Sequence, residues 1–397
     1  MREFTTAIVG AGAAGLTAAI SAKQSGASCV VCERLPKIGK KILASGNGRC
    51  NISNEALSAE NYNKESGALV TSIFGKFGAS SIKEFFRGLG LRLITEDSRV
   101  FPATNQSSSV LKALELKVKK LDVPIELGFT ADRIESKGKG FSIVSTSGGR
   151  LNCGSVIITG GGKSYPALGS DGSAYKLASL LGHSIVSPVP SAVPLTVKDP
   201  LCHLAQGQRI EAKIKAIISG QEAAESRGDL MFTKYGLSGT AILDISRDVS
   251  IALNRQPSKS VYLEVDIVPF IRDDELSDNI GRAINDGRAD EDVLSGVLPI
   301  KISTALKGLI SSGDPAIIAR KLKSMRFDVI GTRGWNEAEF TAGGVDIREI
   351  NSTTLESKIK KGIYFAGEIL DVDGRRGGYN LAWAWASGFV CGMAVQS

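Results

Sequence analysis

A chain of 397 residues with 43% hydrophobic content and 45 glycines exceeds one ordinary core, so two or three domains rich in tight turns are expected. The 48 Lys and Arg against 41 Asp and Glu leave a net charge of +7, which permits an anionic partner without identifying one. No apolar run reaches the roughly 18 residues needed to span a bilayer, and Met1-Arg2-Glu3 leads straight into a strand, so a cytoplasmic protein with no signal peptide and no stable membrane association is expected.

The first element sets the reading. Ala7-Ile8-Val9 is a short apolar run suited to a strand buried on both faces. It breaks at Gly10-Ala11-Gly12-Ala13-Ala14-Gly15, a G-x-G-x-x-G pattern, and apolar residues at helical spacing follow as far as Ser25-Gly26. Gly10 permits the tight turn, Gly12 lets a pyrophosphate approach the backbone, and Gly15 lets helix and strand pack closely. The helix start, with Ala13 and Ala14, offers N–H groups and a positive dipole end to phosphate. Cys29-Val30-Val31-Cys32 is a second buried strand ending in Glu33, whose carboxylate can accept both ribose hydroxyls and disfavours a 2′-phosphate. The bound nucleotide is therefore expected not to be NADP. Cys29 and Cys32 have C-x-x-C spacing inside a strand rather than at a helix start, so neither a redox motif nor a metal site is expected.

Further along, residues 34–41 read as a basic loop and Ser45–Asn51 as a glycine-rich cradle beside the nucleotide. Helices are expected over Ser72–Gly88 and Ser109–Leu121, and strands over Ile125–Leu127, Phe141–Ser145 and Val156–Thr159. The last strand ends in Gly160-Gly161-Gly162-Lys163-Ser164, but Ile157 stands where a Walker A motif requires glycine, so an ATPase is excluded. From about Ser191 the texture changes. Ile210 to Ile218 and Val261 to Ile267 alternate apolar with polar residues, as half-exposed antiparallel strands do, and Asp273 to Met325 reads as consecutive helices. Near Ala338 the glycine-rich style returns. The expected organisation is a discontinuous α/β domain (1–190 and 338–397) interrupted by a β-barrel insert (191–268 and 326–337) that itself carries a helical insert (269–325).

The C-terminal stretch points to the cofactor. Gly367-Glu368-Ile369-Leu370-Asp371 follows the strand Ile363–Ala366, and Gly377-Gly378-Tyr379-Asn380-Leu381 opens an apolar helix. Acids after a strand can hold ribityl hydroxyls, and a glycine-opened helix start suits a reduced, anionic flavin ring. A nucleotide fingerprint at one end and a polyol-and-ring site at the other suit FAD rather than NAD. At these residues, together with Gly46–Asn51, Arg99–Pro102, Thr159–Gly169, Met231-Phe232-Thr233, Gly236–Gly239 and Phe340–Val345, the chain resembles the HI0933-like (YhiN/BaiN) family of FAD-dependent NAD(P)H oxidoreductases. The resemblance implies a split Rossmann-like FAD-binding domain with a β-barrel and a small helical insert. Cofactor contacts are accordingly expected at Gly10, Gly12, Ala13, Ala14, Gly15, Glu33, Arg34, Lys41, Gly46, Arg49, Cys50, Asn51, Ala131, Gly160, Gly161, Gly367, Glu368, Asp371, Gly378, Tyr379, Asn380 and Leu381. Departures from the family pattern at Asp171, Ser173, Lys234, Thr240 and Ala382 bear on substrate identity.

No second G-x-G-x-x-G follows a strand, so NAD(P)H is expected to dock transiently as hydride donor. The resemblance implies reduction of a conjugated C=C bond, with either uridine in ribosomal RNA or a small steroid-like enone as substrate. Arg375-Arg376, with Lys213, Lys215 and Lys234 of an insert expected to cover the flavin and complete the substrate cleft, would serve an RNA substrate. Cys50 and Tyr379 are the candidate proton donors, whereas His183 and His203 read as structural. An RNA-binding flavoprotein with incidental redox activity is the alternative from another class. Amine oxidation would need an aromatic cage that 6% aromatic content supports poorly.

Overall fold

Strand β1 (Glu3–Val9) lies at the middle of the larger sheet because its apolar residues need cover on both faces. Helix α1 (Ala13–Gln24) returns the chain to β2 (Cys29–Glu33), which pairs parallel to β1 with Ile8 opposite Val31. Strand Arg150–Ile158 pairs parallel on the other side of β1, and Ile125–Leu127 and Ile363–Phe365 extend the parallel set. Gly140–Ser145 and Ala131–Lys137 continue it antiparallel. Parallel pairing sends the C-terminal ends of four strands, at Gly10, Glu33, Thr159 and Ala366, to one edge of the sheet, where open α/β sheets bind ligands. The computed structural model describes residues 3–256, 260–311 and 313–395.

The C-terminal helix Tyr379–Ala394 is apolar nearly all round and lies against α1. Small residues make that approach possible. A Cβ on Gly388 would stand 2.3 Å from the Ala14 carbonyl oxygen, and one on Gly392 2.0 Å from Ser21 Oγ. Trp383 and Trp385 are buried and donate their indole N–H groups to Gly367 O (3.1 Å) and Ile52 O (3.0 Å). The helix thereby ties the 45–54 stretch to the 363–370 stretch. Two local expectations change. Residues 72–88 form two helices, Gly67–Lys76 and Ala79–Gly88, because the chain turns at Phe77, which stacks on Phe389 at 4.0 Å. Lys40–Ala44 is a short helix inside the expected basic loop.

The chain separates into two compact units, 1–188 with 340–397 and 189–339. In the second, six strands close an antiparallel barrel in the order Leu195–Val197, Gly236–Ser238, Gln221–Thr233, Arg209–Ile218, Val261–Asp266, Met325–Thr332. Closure leaves no edge strand to aggregate. The helices between 273 and 323 share one apolar core with this barrel, Leu276, Ile280, Ile318 and Leu322 packing in the same cluster as Leu263 and Phe327. Lys323 anchors the junction by reaching Asp266 (3.2 Å) and the Val268 carbonyl (2.9 Å). Among the described residues no helix is long and apolar enough to cross a membrane.

Candidate functional site

The three glycines of the first turn have distinct reasons to be glycine. Gly10 holds φ +110°, and a Cβ there would stand 2.7 Å from Thr159 O. A Cβ on Gly15 would stand 1.8 Å from Gly10 O. Gly12, the N-cap of α1, meets nothing within 4 Å. Protein packing therefore demands Gly10 and Gly15 but not Gly12, whose Cβ would enter open space at a 12-residue helix N-terminus. A helix N-terminus facing open space offers an anion unpaired N–H groups and the positive end of the helix dipole. Thr159 braces the turn by donating to Val9 O (2.9 Å) and Gly10 O (2.8 Å). Ala13 begins the helix, and the Ala14 methyl is buried near Gly367 and Gly388. Contact of Ala14 with a nucleotide would thus run through its backbone.

Glu33 is 8% exposed and does more than the sequence suggested. One carboxylate oxygen accepts from Ala11 N and the other from Leu35 N, both at 2.8 Å. The acid braces both loops, leaving a second lone pair on each oxygen for a sugar hydroxyl. Arg34 reaches across to Asp171 at 2.5 Å, while its Nε is buried without a hydrogen-bond partner. Phe129 N donates to Glu33 O (3.0 Å), which brings the chain entering Ala131 alongside the same strand end. Gly160 and Gly161 lie beyond Thr159, and Cβ atoms there would meet Ala174 at 2.5 Å and Ser170 at 2.7 Å, so packing alone explains them.

Two of the expected contact residues have strong partners within the chain. Glu368, expected to face ribityl hydroxyls, is an internal strut. Its Oε1 accepts from Ser164 Oγ (2.9 Å) and Thr341 N (2.8 Å), and its Oε2 pairs with Lys41 Nζ (2.5 Å), which also reaches Ser164 (2.6 Å). Arg49 is spent on Glu96 (2.6 Å) and Asn105, with its guanidinium 4.1 Å from the Phe101 ring centroid. These contacts tie it to the neighbouring hairpin.

At the other end, the 46–51 and 377–379 stretches meet. A Cβ on Gly378 would stand 2.7 Å from Asn51 Oδ1 and 2.5 Å from Ser53 O, and Asn51 Oδ1 is buried with no partner. Gly46, Asn47 and Cys50 hold left-handed φ of +56°, +54° and +58°, turning the chain tightly here. The Cys50 side chain is fully buried in the main core, and burial pushes its thiol up to about 12. That environment argues against Cys50 as proton donor. Tyr379 is the first residue of the C-terminal helix. Burial raises its hydroxyl pKa, and the charges of Arg375 and Arg99 pull it back down. The Asn380 carboxamide clasps Gly374, accepting from its N–H (2.9 Å) and donating to its carbonyl (2.8 Å), while Leu381 packs on the core. Asp371 N donates to Val345 O (3.0 Å) and Asp371 O accepts from Asn63 (3.2 Å), so this residue holds two segments together.

Several supporting residues had no signal in the sequence. Tyr62 OH donates to Tyr379 O (2.7 Å), and its ring lies edge-on to that of Tyr379 at 6.1 Å. Asn54 donates to Gly377 O (2.9 Å), and Asn63 brackets Asp373 through both its backbone N–H (2.9 Å) and its side-chain oxygen (3.1 Å). Ser164 and Thr341 belong to stretches noted for their motifs, yet only their shared partner Glu368 reveals why. His183 is buried between Glu349 (2.9 Å) and Ser357 (2.8 Å) and is structural. All six cysteines are free and buried.

The open cradle at Gly12 and the unpartnered Asn51 oxygen at the far end fit a long nucleotide cofactor with a hydrogen-bonding ring. Comparison with known proteins agrees. Residues 4–394 match the model of the HI0933-like protein Rossmann domain. The chain is 35% identical over 403 residues to a 3-dehydro-bile acid delta(4,6)-reductase of Clostridium scindens, covering 98% of each. It is 28% identical over 401 residues to a ribosomal RNA dihydrouridine synthase of Escherichia coli, again covering 98% of each. A solved 3-ketosteroid delta1-dehydrogenase from Sterolibacterium denitrificans shares the fold at TM-score 0.53 and 10% identity, covering 100% of this chain and 99% of that one. The chain belongs to the HI0933-like Rossmann-domain family and is a flavin-dependent oxidoreductase.

Proposed function

We propose that this protein uses NAD(P)H to reduce a C=C bond conjugated to a carbonyl, with uridine of ribosomal RNA as the substrate. The observation that carries the reading is that one unit holds both the open Gly12 cradle and Tyr379, with its hydroxyl between burial and two arginine charges. FAD bound here would supply the hydride chemistry that links NAD(P)H to the carbon β to the carbonyl. The chain's own residues do the rest. Gly12 and the start of α1 receive the pyrophosphate, Glu33 the ribose, and Asn51 with Gly378 the ring edge. Tyr379 gives its proton to the α carbon and regains one from water, completing addition of H⁻ and H⁺ across the bond.

Charge distribution supports an RNA partner. Residues 1–188 and 340–397 carry 29 Lys and Arg against 20 Asp and Glu, whereas 189–339 carry 19 against 21. The basic excess therefore belongs to the nucleotide-binding unit. Lys213 and Lys215, expected as phosphate contacts, pair with Glu225 (3.1 Å) and Glu222 (2.7 Å) on the adjoining strand, so that barrel face is neutralised. A small dienone acid is the second reading, favoured by the 35% identity to the bile acid reductase. Anaerobic reduction of the holoprotein by NADPH or NADH, followed by mixing with ribosomal RNA fragments or a steroid-like dienone acid, tests both. Reoxidation with formation of dihydrouridine, or of the saturated ketone, identifies the substrate. Failure of both nicotinamides to bleach the flavin would end the proposal.

A further inference from the structure

We propose that Arg99 and Arg375 form an oxyanion-binding subsite beside Tyr379, which takes a negatively charged group of the substrate. The proposal rests on the reductase reading for the substrate's identity, but its own evidence is geometric. Strand Arg99–Pro102 pairs antiparallel with Ser53–Asn54, and Arg99 lies opposite Asn54. Asn54 in turn holds Gly377 O (2.9 Å). A Cβ on Gly377 would stand 3.4 Å from the Tyr379 ring and 3.6 Å from Asn54 Nδ2, so the tyrosine ring and the Asn54 amide flank one glycine. Arg375 lies in the same turn, two residues before Gly377, fixed by its backbone N–H to Asn61 O (2.8 Å). Strand register and the Asn54–Gly377 bond thus bring two arginines, 276 positions apart in sequence, to the turn that leads into Tyr379.

Neither guanidinium has a hydrogen-bond or ion-pair partner among the described residues, and both residues are exposed. The acids that could neutralise Arg99 are already engaged. Glu96, its neighbour across the hairpin, binds Arg49 (2.6 Å), and Glu55, on the chain just after Asn54, binds Lys83 (2.8 Å) and Thr95 (3.1 Å). Two uncompensated planar forks a few residues from a proton donor match an oxyanion, since guanidinium bonds carboxylate and phosphate bidentately. Both charges also act on the Tyr379 hydroxyl. An anion seated on them would position the substrate's ring at that hydroxyl. The oxyanion is either a phosphodiester of RNA or the side-chain carboxylate of a small enone acid.

Holoprotein, wild type and Arg99→Gln/Arg375→Gln, is titrated at low salt with four probes. These are a short uridine-containing single-stranded RNA, inorganic phosphate, a steroid-like dienone acid and the neutral methyl ester of that acid. The double variant should keep the wild-type flavin absorbance and circular dichroism. It should bind the recognised anion at least about tenfold more weakly, the loss expected for a charge-assisted contact. Loss for RNA and phosphate identifies a phosphodiester, and the slope of log K against log salt then falls by roughly 0.7 per contact. Loss for the acid but not its ester identifies a carboxylate. Lys at both positions, which keeps the charge without the fork, should restore binding in part. Wild type that binds none of the anions, or a double variant that binds them all unchanged, overturns the subsite. These measurements need no turnover, so a wild-type protein inactive on both substrates would defeat the reductase reading and still decide the subsite.

Discussion

A Cβ on Gly15 would lie 1.8 Å from the carbonyl oxygen of Gly10, so these two glycines form one contact that no other residue permits. Gly12 lies between them and has no such constraint. Gly15→Ala should therefore fail to give folded protein. Gly12→Val should fold, give cooperative urea unfolding, and purify colourless because its side chain occupies the pyrophosphate's place. A yellow Gly12→Val protein would remove the nucleotide from this turn.

Glu33 braces two backbone N–H groups, so its loss should be felt before any cofactor binds. Each charge-assisted bond contributes on the order of 1.5–3 kcal/mol. Glu33→Ala apoprotein should accordingly unfold at clearly lower urea than wild-type apoprotein, with Glu33→Gln between them because it keeps one acceptor oxygen. Equal midpoints for all three would show that the carboxylate acts on the ligand alone.

The two candidate proton donors separate by mutation. Tyr379→Phe removes the hydroxyl and keeps the ring packed against Tyr62, and turnover should fall by about 10²-fold or more at unchanged flavin content. Cys50→Ala should leave turnover near wild type and cost stability instead, since the thiol is a buried, protonated packing group. The opposite pattern would make Cys50 the donor.

His183 supplies a pH prediction. Burial lowers its pKa from the ordinary 6.5, against the opposing pull of Glu349. The folded state therefore releases the proton more readily than the unfolded chain. Its contribution to stability is complete above about pH 6.5 and declines as pH falls toward the folded value. Urea midpoints of wild type should drop over that range, and His183→Gln should start lower with a flatter pH profile. A wild-type profile with no dependence near this histidine would place its titration elsewhere.

The β1–α1–β2 unit was legible in the chain because its signals are local. A buried strand, a glycine turn and an apolar helical return are written in adjacent residues, and steric demand at Gly10 and Gly15 follows from their spacing. The alternating strands of the barrel were legible for the same reason, since strand periodicity reports burial of one face. Motif composition also singled out the two stretches proposed to hold the ends of the cofactor. It could not assign work to individual side chains there. Glu368 reads as a free acid after a strand, yet its partners Lys41 and Ser164 are 327 and 204 positions away. Cys50 reads as a reactive residue in a glycine cradle, yet its side chain is sealed inside the main core. Arg99 reads only as part of a family motif until strand pairing sets it opposite Asn54, whose amide holds the turn leading into Tyr379. Backbone conformation and apolar periodicity are properties of neighbours in sequence, so the chain alone determined them. Hydrogen-bond saturation, burial and charge pairing depend on which distant segments close on one another, and only the tertiary structure decided those.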